Sequence, residues 1–220
     1  GNTSHQIPFT VNLNGLKVTD PYSEIVIAIL PNNNWHRAHT DFQPLFIKGD
    51  KLIYKDKPAN IFEAGNEYRT LNIKDLTYEA VMVKSIRKIN SDYHVKLRPD
   101  QSRRYIRYHD HQDLNVYFTL QVENPILSGQ VFVYGGWADY TFSGQNAMSY
   151  NARKKQYDLR TRLKEGFYDY QYVVLSAYQN YEPDFSRLEG NHWETRNDYL
   201  VYVYLKDLVK GYHRVVGFKT

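Results

Sequence analysis

Asn115-Val116-Tyr117-Phe118-Thr119-Leu120-Gln121-Val122 sets Val116, Phe118 and Leu120 on one side of an extended chain and Tyr117 and Thr119 on the other. A period of two residues is the pattern of a strand with one face in a core. Phe9 to Leu13 repeats it, with Phe9, Val11 and Leu13 set against Thr10 and Asn12. Glu24 to Leu30 is instead a nearly continuous apolar run ended by Pro31 and three Asn, the reading of a central strand buried on both faces. Strands are also predicted near Leu45 to Ile47, Lys51 to Tyr54, Glu67 to Ile73, Ala80 to Ile86 and Tyr93 to Leu97. In the second half they are predicted over Gln130 to Tyr134, Tyr157 to Leu163, Phe167 to Leu175, Tyr199 to Leu205 and Arg214 to Phe218. Gly, Pro, Asn and Asp clusters such as Asn14-Gly15 and Thr19-Asp20-Pro21-Tyr22 separate these segments, which is sandwich spacing rather than βαβ spacing.

Composition agrees. The chain has 220 residues with 21 Tyr, 10 Phe and 3 Trp, side chains that fit a pleated, half-buried surface. With no Cys, its core must hold through packing alone. The stretch Pro99 to Asp113 is polar and charged, and a domain boundary is expected there. The expected fold is therefore all-β, with two consecutive immunoglobulin-like β-sandwich domains over residues 1–108 and 109–220.

Charge and hydropathy exclude several classes. The net charge is +4; residues 1–112 carry 16 Lys/Arg against 12 Asp/Glu, and residues 113–220 carry 12 against 12. That excess is too small for a nucleic-acid footprint, which concentrates cations on one face. No stretch approaches the ~18–20 apolar residues of a spanning helix, so no membrane insertion is expected.

No constellation supports catalysis. The chain has no Gly-x-Ser-x-Gly elbow, and Gly135-Gly136 lacks the Lys-Ser/Thr of a phosphate-binding loop. His109-Asp110-His111 has the spacing of a metal pair but lies in the polar stretch, with no rigid surroundings to orient the rings. Glu189-Gly-Asn-His-Trp-Glu194 offers His192 and Glu194 as an acid/base pair, yet its turn formers read first as a loop entering a strand. No catalytic residue, cofactor or metal is expected.

Binding remains. Trp35, Trp137 and Trp193 all sit beside turn residues, where each either caps a core or stacks on a sugar ring or protein partner. Trp137, Tyr140, His192 and Trp193 are the candidate contacts. Tyr168, Tyr170, Tyr172 and Val174 share one strand face, read here as core with hydroxyls reaching its edge. The segments Gln130 to Tyr140, Met148 to Tyr150, Tyr157 and Gly166 to Tyr172 resemble the early-set immunoglobulin-like modules of glycan-active enzymes. That resemblance implies glycan binding as the alternative function.

Longer matches resemble another family. Phe9 to Tyr22, Ile61-Phe-Glu-Ala-Gly-Asn-Glu-Tyr-Arg69, Tyr93 to Asp100, Val131 to Trp137, Gly166 to Val173 and Glu189 to Tyr199 together resemble the plug proteins of the type IX secretion system of Bacteroidetes. The resemblance implies a periplasmic, non-enzymatic protein that closes the periplasmic mouth of the outer-membrane translocon. It also implies a longer protein whose signal peptide and amino-terminal domain precede this chain. It carries over no catalytic residues, and its matched positions are those of turns and cores.

Overall fold

The structure is a computed structural model that describes residues 3–40, 42–55, 60–74, 80–85, 92–97, 113–178 and 181–220. The chain is nearly all β and divides into two compact units. Unit 1 comprises Gly1–Gly65 with Asn191–Thr220, and unit 2 is the intervening Asn66–Gly190. The units are thus nested, where the sequence suggested consecutive domains meeting at residue 108. Strand pairing is the reason, because the last strands of the chain complete the sheet begun by its first third. The polar stretch read as a linker, with His109 and His111, lies outside the described residues apart from Asp113.

The chain enters unit 1 through β1 (Ser4–Gln6), β2 (Phe9–Asn12), the single helical turn α1 (Pro21–Glu24) and β3 (Ile25–Pro31). Then come β4 (Phe46–Lys48), β5 (Lys51–Tyr54) and β6 (Ile61–Glu63). Asp20 caps α1 by accepting from the Tyr22 backbone N–H, and Pro21 at the first helical position needs no amide partner. What reads as a turn in the sequence is therefore one helical turn.

Unit 2 runs through β7 (Arg69–Ile73), β8 (Ala80–Ser85), β9 (Asp92–Leu97), β10 (Leu114–Gln121) and β11 (Gly129–Gly135). It continues with β12 (Ser149–Asn151), β13 (Gln156–Leu163), β14 (Gly166–Ser176), β15 (Pro183–Asp184) and the helical turn α2 (Ser186–Glu189). One sheet has the order β12-β13-β10-β8-β9, with β10 and β8 parallel; in the other, β14 pairs with β11, β15 and β7. The alternation of β10 is kept, with Val116, Phe118 and Leu120 in the core between the sheets. Tyr170, Tyr172 and Val174 of β14 face them, so this tyrosine face is core, and Tyr168 at its end donates its hydroxyl to the Lys164 carbonyl.

Back in unit 1, β16 (Tyr199–Lys206) and β17 (His213–Lys219) add to β3 in the order β17-β16-β3. This sheet packs on β2-β5-β4, with Val11, Ile25, Ile27, Ile29, Leu52, Tyr54 and Val201 between them. Although buried on both faces, β3 is not central in its sheet: among the described residues, only the isolated bridge from Ile29 to His39 lies beyond it.

Both passages between the units are Gly-Asn pairs. Gly65 (φ +66°) precedes Asn66, and Gly190 (φ +86°) precedes Asn191. Positive φ is cheap for glycine, which lets the chain turn sharply at each passage. In unit 1 the Gly65 N–H donates to Asn191 Oδ1 at 2.7 Å, and the His192 N–H to the Gly65 carbonyl at 2.8 Å. In unit 2 Asn66 Nδ2 donates to the Glu189 carbonyl at 3.0 Å. There Glu189 also accepts Arg69 Nε at 2.9 Å and the Tyr172 N–H at 2.7 Å, with side-chain exposures of only 2% and 0% for Arg69 and Glu189.

Candidate binding surface

The sequence Tyr199-Leu-Val-Tyr-Val-Tyr-Leu-Lys206 sends two sets of side chains to opposite faces of β16. Val201 is buried in the core of unit 1, and Tyr199, Val203 and Leu205 pack against it. Tyr202 and Tyr204 point the other way. Tyr202 stacks on Trp35 at a centroid distance of 6.1 Å and an angle of 19°, and Tyr204 lies 6.1 Å from Tyr202. Phe218 is the register partner of Tyr202, and Val215 that of Tyr204, so both share this outward face. Phe218 is 73% exposed and Trp35 59%.

The loop joining β16 to β17 extends this surface. The Asp207 carboxylate accepts the Val209 and Lys210 N–H groups at 3.0 and 2.9 Å, and the Asp207 N–H donates to the Tyr212 carbonyl at 2.9 Å. The two bonds to the carboxylate, led by that from Lys210, hold the Asp207 carboxyl below its ordinary value. Gly211 (φ +72°) turns the chain back, donating its N–H to the Asp207 carbonyl at 2.8 Å. The turn is built from polar groups, yet its tip carries Leu208 and Val209, and Val209 is 94% exposed. With Tyr212, also exposed, the end of the hairpin thus adds exposed apolar side chains to those that Trp35, Val215 and Phe218 present along its outward face. Clustered exposed apolar side chains make this hairpin a candidate interaction surface, whereas single exposed side chains carry no such meaning.

The four sequence-predicted contacts fall in two places. Trp137 and Tyr140 belong to one turn of unit 2, following β11. Trp137 stacks on the core residue Phe118 at 6.2 Å and 11°, so one ring face is committed to packing, and its Nε1 is buried with no hydrogen-bond partner among the described residues. Tyr140 (φ +52°) is half exposed and leans on Tyr134 at 5.6 Å. His192 and Trp193 belong to unit 1, in the passage leading to β16. There the Trp193 carbonyl lies 2.6 Å from His5 Nε2, and the Trp193 ring is exposed. Glu194, the other half of the suggested acid/base pair, is exposed.

Sequence reasoning missed the hairpin tip. The available signal was Leu208-Val209 inside a turn bracketed by Asp207 and Gly211, where polar residues are the rule.

Unit 2 also has a groove of about 490 Å³ lined by residues 122–128 with Arg187 and Leu188. Arg187 donates to Ser128 Oγ at 2.6 Å across it. Among the described residues, no group of three or more His, Asp or Glu is placed to hold a metal ion. No helix among them is long and apolar enough to cross a membrane.

The solved structure of a hypothetical protein from Parabacteroides merdae ATCC 43184 is similar to this chain, with a TM-score of 0.79 and 26% identity. The similarity covers 99% of this chain and 59% of that one, so this chain spans little more than half of that protein's length. No protein-family model and no curated protein matches the chain. Fold and strand order define an all-β sandwich protein, and this similar structure comes from a member of the Bacteroidetes.

Proposed function

We propose that this chain is a non-enzymatic, protein-binding component of the periplasm, akin to the plug that closes the periplasmic mouth of the type IX secretion translocon. The observation that carries the binding role is the exposed apolar surface on the hairpin of β16 and β17, set on a rigid turn and continued by Trp35. The translocon as partner rests on the sequence resemblance, whose segments are spread over both units. An all-β relative from a Bacteroidetes bacterium is in keeping with it.

Closure then needs no chemistry in this chain. A translocon that alternates between idle and transporting states releases the plug when its two states bind the plug with different affinity, and every 1.4 kcal/mol of difference is about tenfold in occupancy.

Co-purification of the complete protein from native outer membranes tests the proposal. The translocon barrel is the expected companion, and its absence overturns the reading. Glycan binding that Trp137→Ala abolishes would replace it with the glycan-binding alternative.

A further inference from the structure

The geometry points to the tip of the β16–β17 hairpin as the docking element, and to its occupant as an apolar recess rimmed by carboxylates on a protein partner. This inference deepens the binding reading above, and its experiment separates the two.

Two features define the occupant's chemistry. The first is the sign of the charge. Lys206 follows Tyr202 and Tyr204 on the outward face of β16 and Lys210 lies in the turn beside Val209, whereas Arg214 and Lys219 pair with Leu205 and Val201 and share their opposite face. The one carboxylate of the hairpin, Asp207, is occupied by its own turn. Two lysines beside an apolar tip match a recess whose rim supplies Asp and Glu there, because complementary charges steer encounter and exclude wrong partners. The second is extent. Leu208, Val209 and Tyr212 form the tip, while Val215, Phe218, Tyr202 and Trp35 carry the surface along the strands. Eight residues of β16 at about 3.3 Å each span roughly 26 Å. A lipid surface would take up the tip and leave the aromatic flank in water, whereas a shaped protein wall covers both.

The turn also suits the task. Asp207 and Gly211 fix Leu208 and Val209 in place before any partner arrives, which reduces the ordering cost of binding.

Photo-crosslinking in the bacterium that encodes the protein tests this. The complete protein carries a photoreactive residue at position 209, 218 or, as a control on unit 2, at the exposed Tyr178. Positions 209 and 218 are expected to give adducts with one protein, through peptides containing apolar residues beside Asp or Glu. Lys206→Glu with Lys210→Glu is expected to lower adduct yield roughly tenfold, as rim charges of the wrong sign do. Both substitutions are on the hairpin, and thermal unfolding checks that the double variant retains its fold.

No adduct at 209 and 218 overturns the inference, as does an adduct peptide without carboxylates. Sedimentation with phosphatidylglycerol vesicles that Val209→Asp abolishes overturns it in favour of a membrane. Translocon adducts at 209 and 218 support both readings. Adducts there with an acidic recess on another protein keep the docking element and remove the plug. Translocon adducts at 178 alone keep the plug and remove the docking element.

Discussion

Replacing Glu189 with Ala should unfold unit 2 far more readily than its position at the end of a four-residue helical turn suggests. The carboxylate is fully buried and receives Arg69 Nε at 2.9 Å, an Arg69 terminal nitrogen at 2.8 Å and the Tyr172 N–H at 2.7 Å. Arg69 also lies over the Tyr172 ring, 5.4 Å from its centroid. Truncation leaves a guanidinium charge in the interior without its partner, which costs about 3–5 kcal/mol. For a unit of this size, about 4 °C of melting temperature per kcal/mol gives a fall of roughly 12–20 °C. The pair itself is a different matter: removing both charges through Arg69→Met with Glu189→Leu takes away the desolvation problem. What remains is the Tyr172 N–H without an acceptor, at about 1–3 kcal/mol. The double variant should therefore be more stable than Glu189→Ala. Trp137 is the only tryptophan of unit 2, so its fluorescence in a Trp35→Phe, Trp193→Phe background follows this unit alone. A Glu189→Ala loss below about 1 kcal/mol would refute the reasoning, and so would a double variant whose loss equals the sum of the singles.

Two further outcomes follow from local geometry. A Cβ on Gly135 would stand 2.3 Å from the Asp169 carbonyl oxygen on the partner strand, so Gly135→Ala should cost about 1–3 kcal/mol by the same fluorescence, and an unchanged midpoint would contradict this. His39 is held below its ordinary value of 6.5 by burial and, secondarily, by the Arg37 charge, so its folded form prefers to be neutral. The unfolded chain takes up the proton first. Unit 1 should then keep this stability above the unfolded value of 6.5 and lose it as pH falls from there through the lower folded value. Urea midpoints between about pH 8 and pH 5 measure the slope, and His39→Gln should flatten it.

The sequence makes the long strands legible because their pattern is local. The alternation of Asn115–Val122 survives intact in β10, and Tyr199–Leu205 lies within β16. Short strands escape because little local marks them: β1 and β6 exist only through each other, far apart in sequence, and β12 and β15 are too short to show a period although their partners are near. The nesting was misjudged for a related reason. A polar stretch resembles a linker wherever it falls, whereas the real passages are two Gly-Asn dipeptides, Gly65-Asn66 and Gly190-Asn191, no more polar than any turn. Their repetition was readable, but their meaning depended on the pairing of β16 with β3. The binding surface was partly legible. Trp35 stands out beside its turn, but Trp137 is half committed to the core, and the tip of the hairpin required knowing that Leu208 and Val209 are exposed in the fold.

The nested order of the two units sets a schedule for a chain that emerges from its amino-terminal end. Strands β1 to β6 precede unit 2, and β3 among them lacks its sheet partners until later, since β16 and β17 follow unit 2. Unit 2 has every strand it needs before then. Once folded, it replaces a long floppy closure by two neighbouring passages tied across Asn66 and Glu189, so the late strands need not search the whole length of the chain for β3. The apolar hairpin is thus the last part of unit 1 to be made, and any partner that grips it meets only a chain whose synthesis has passed through the whole of unit 1.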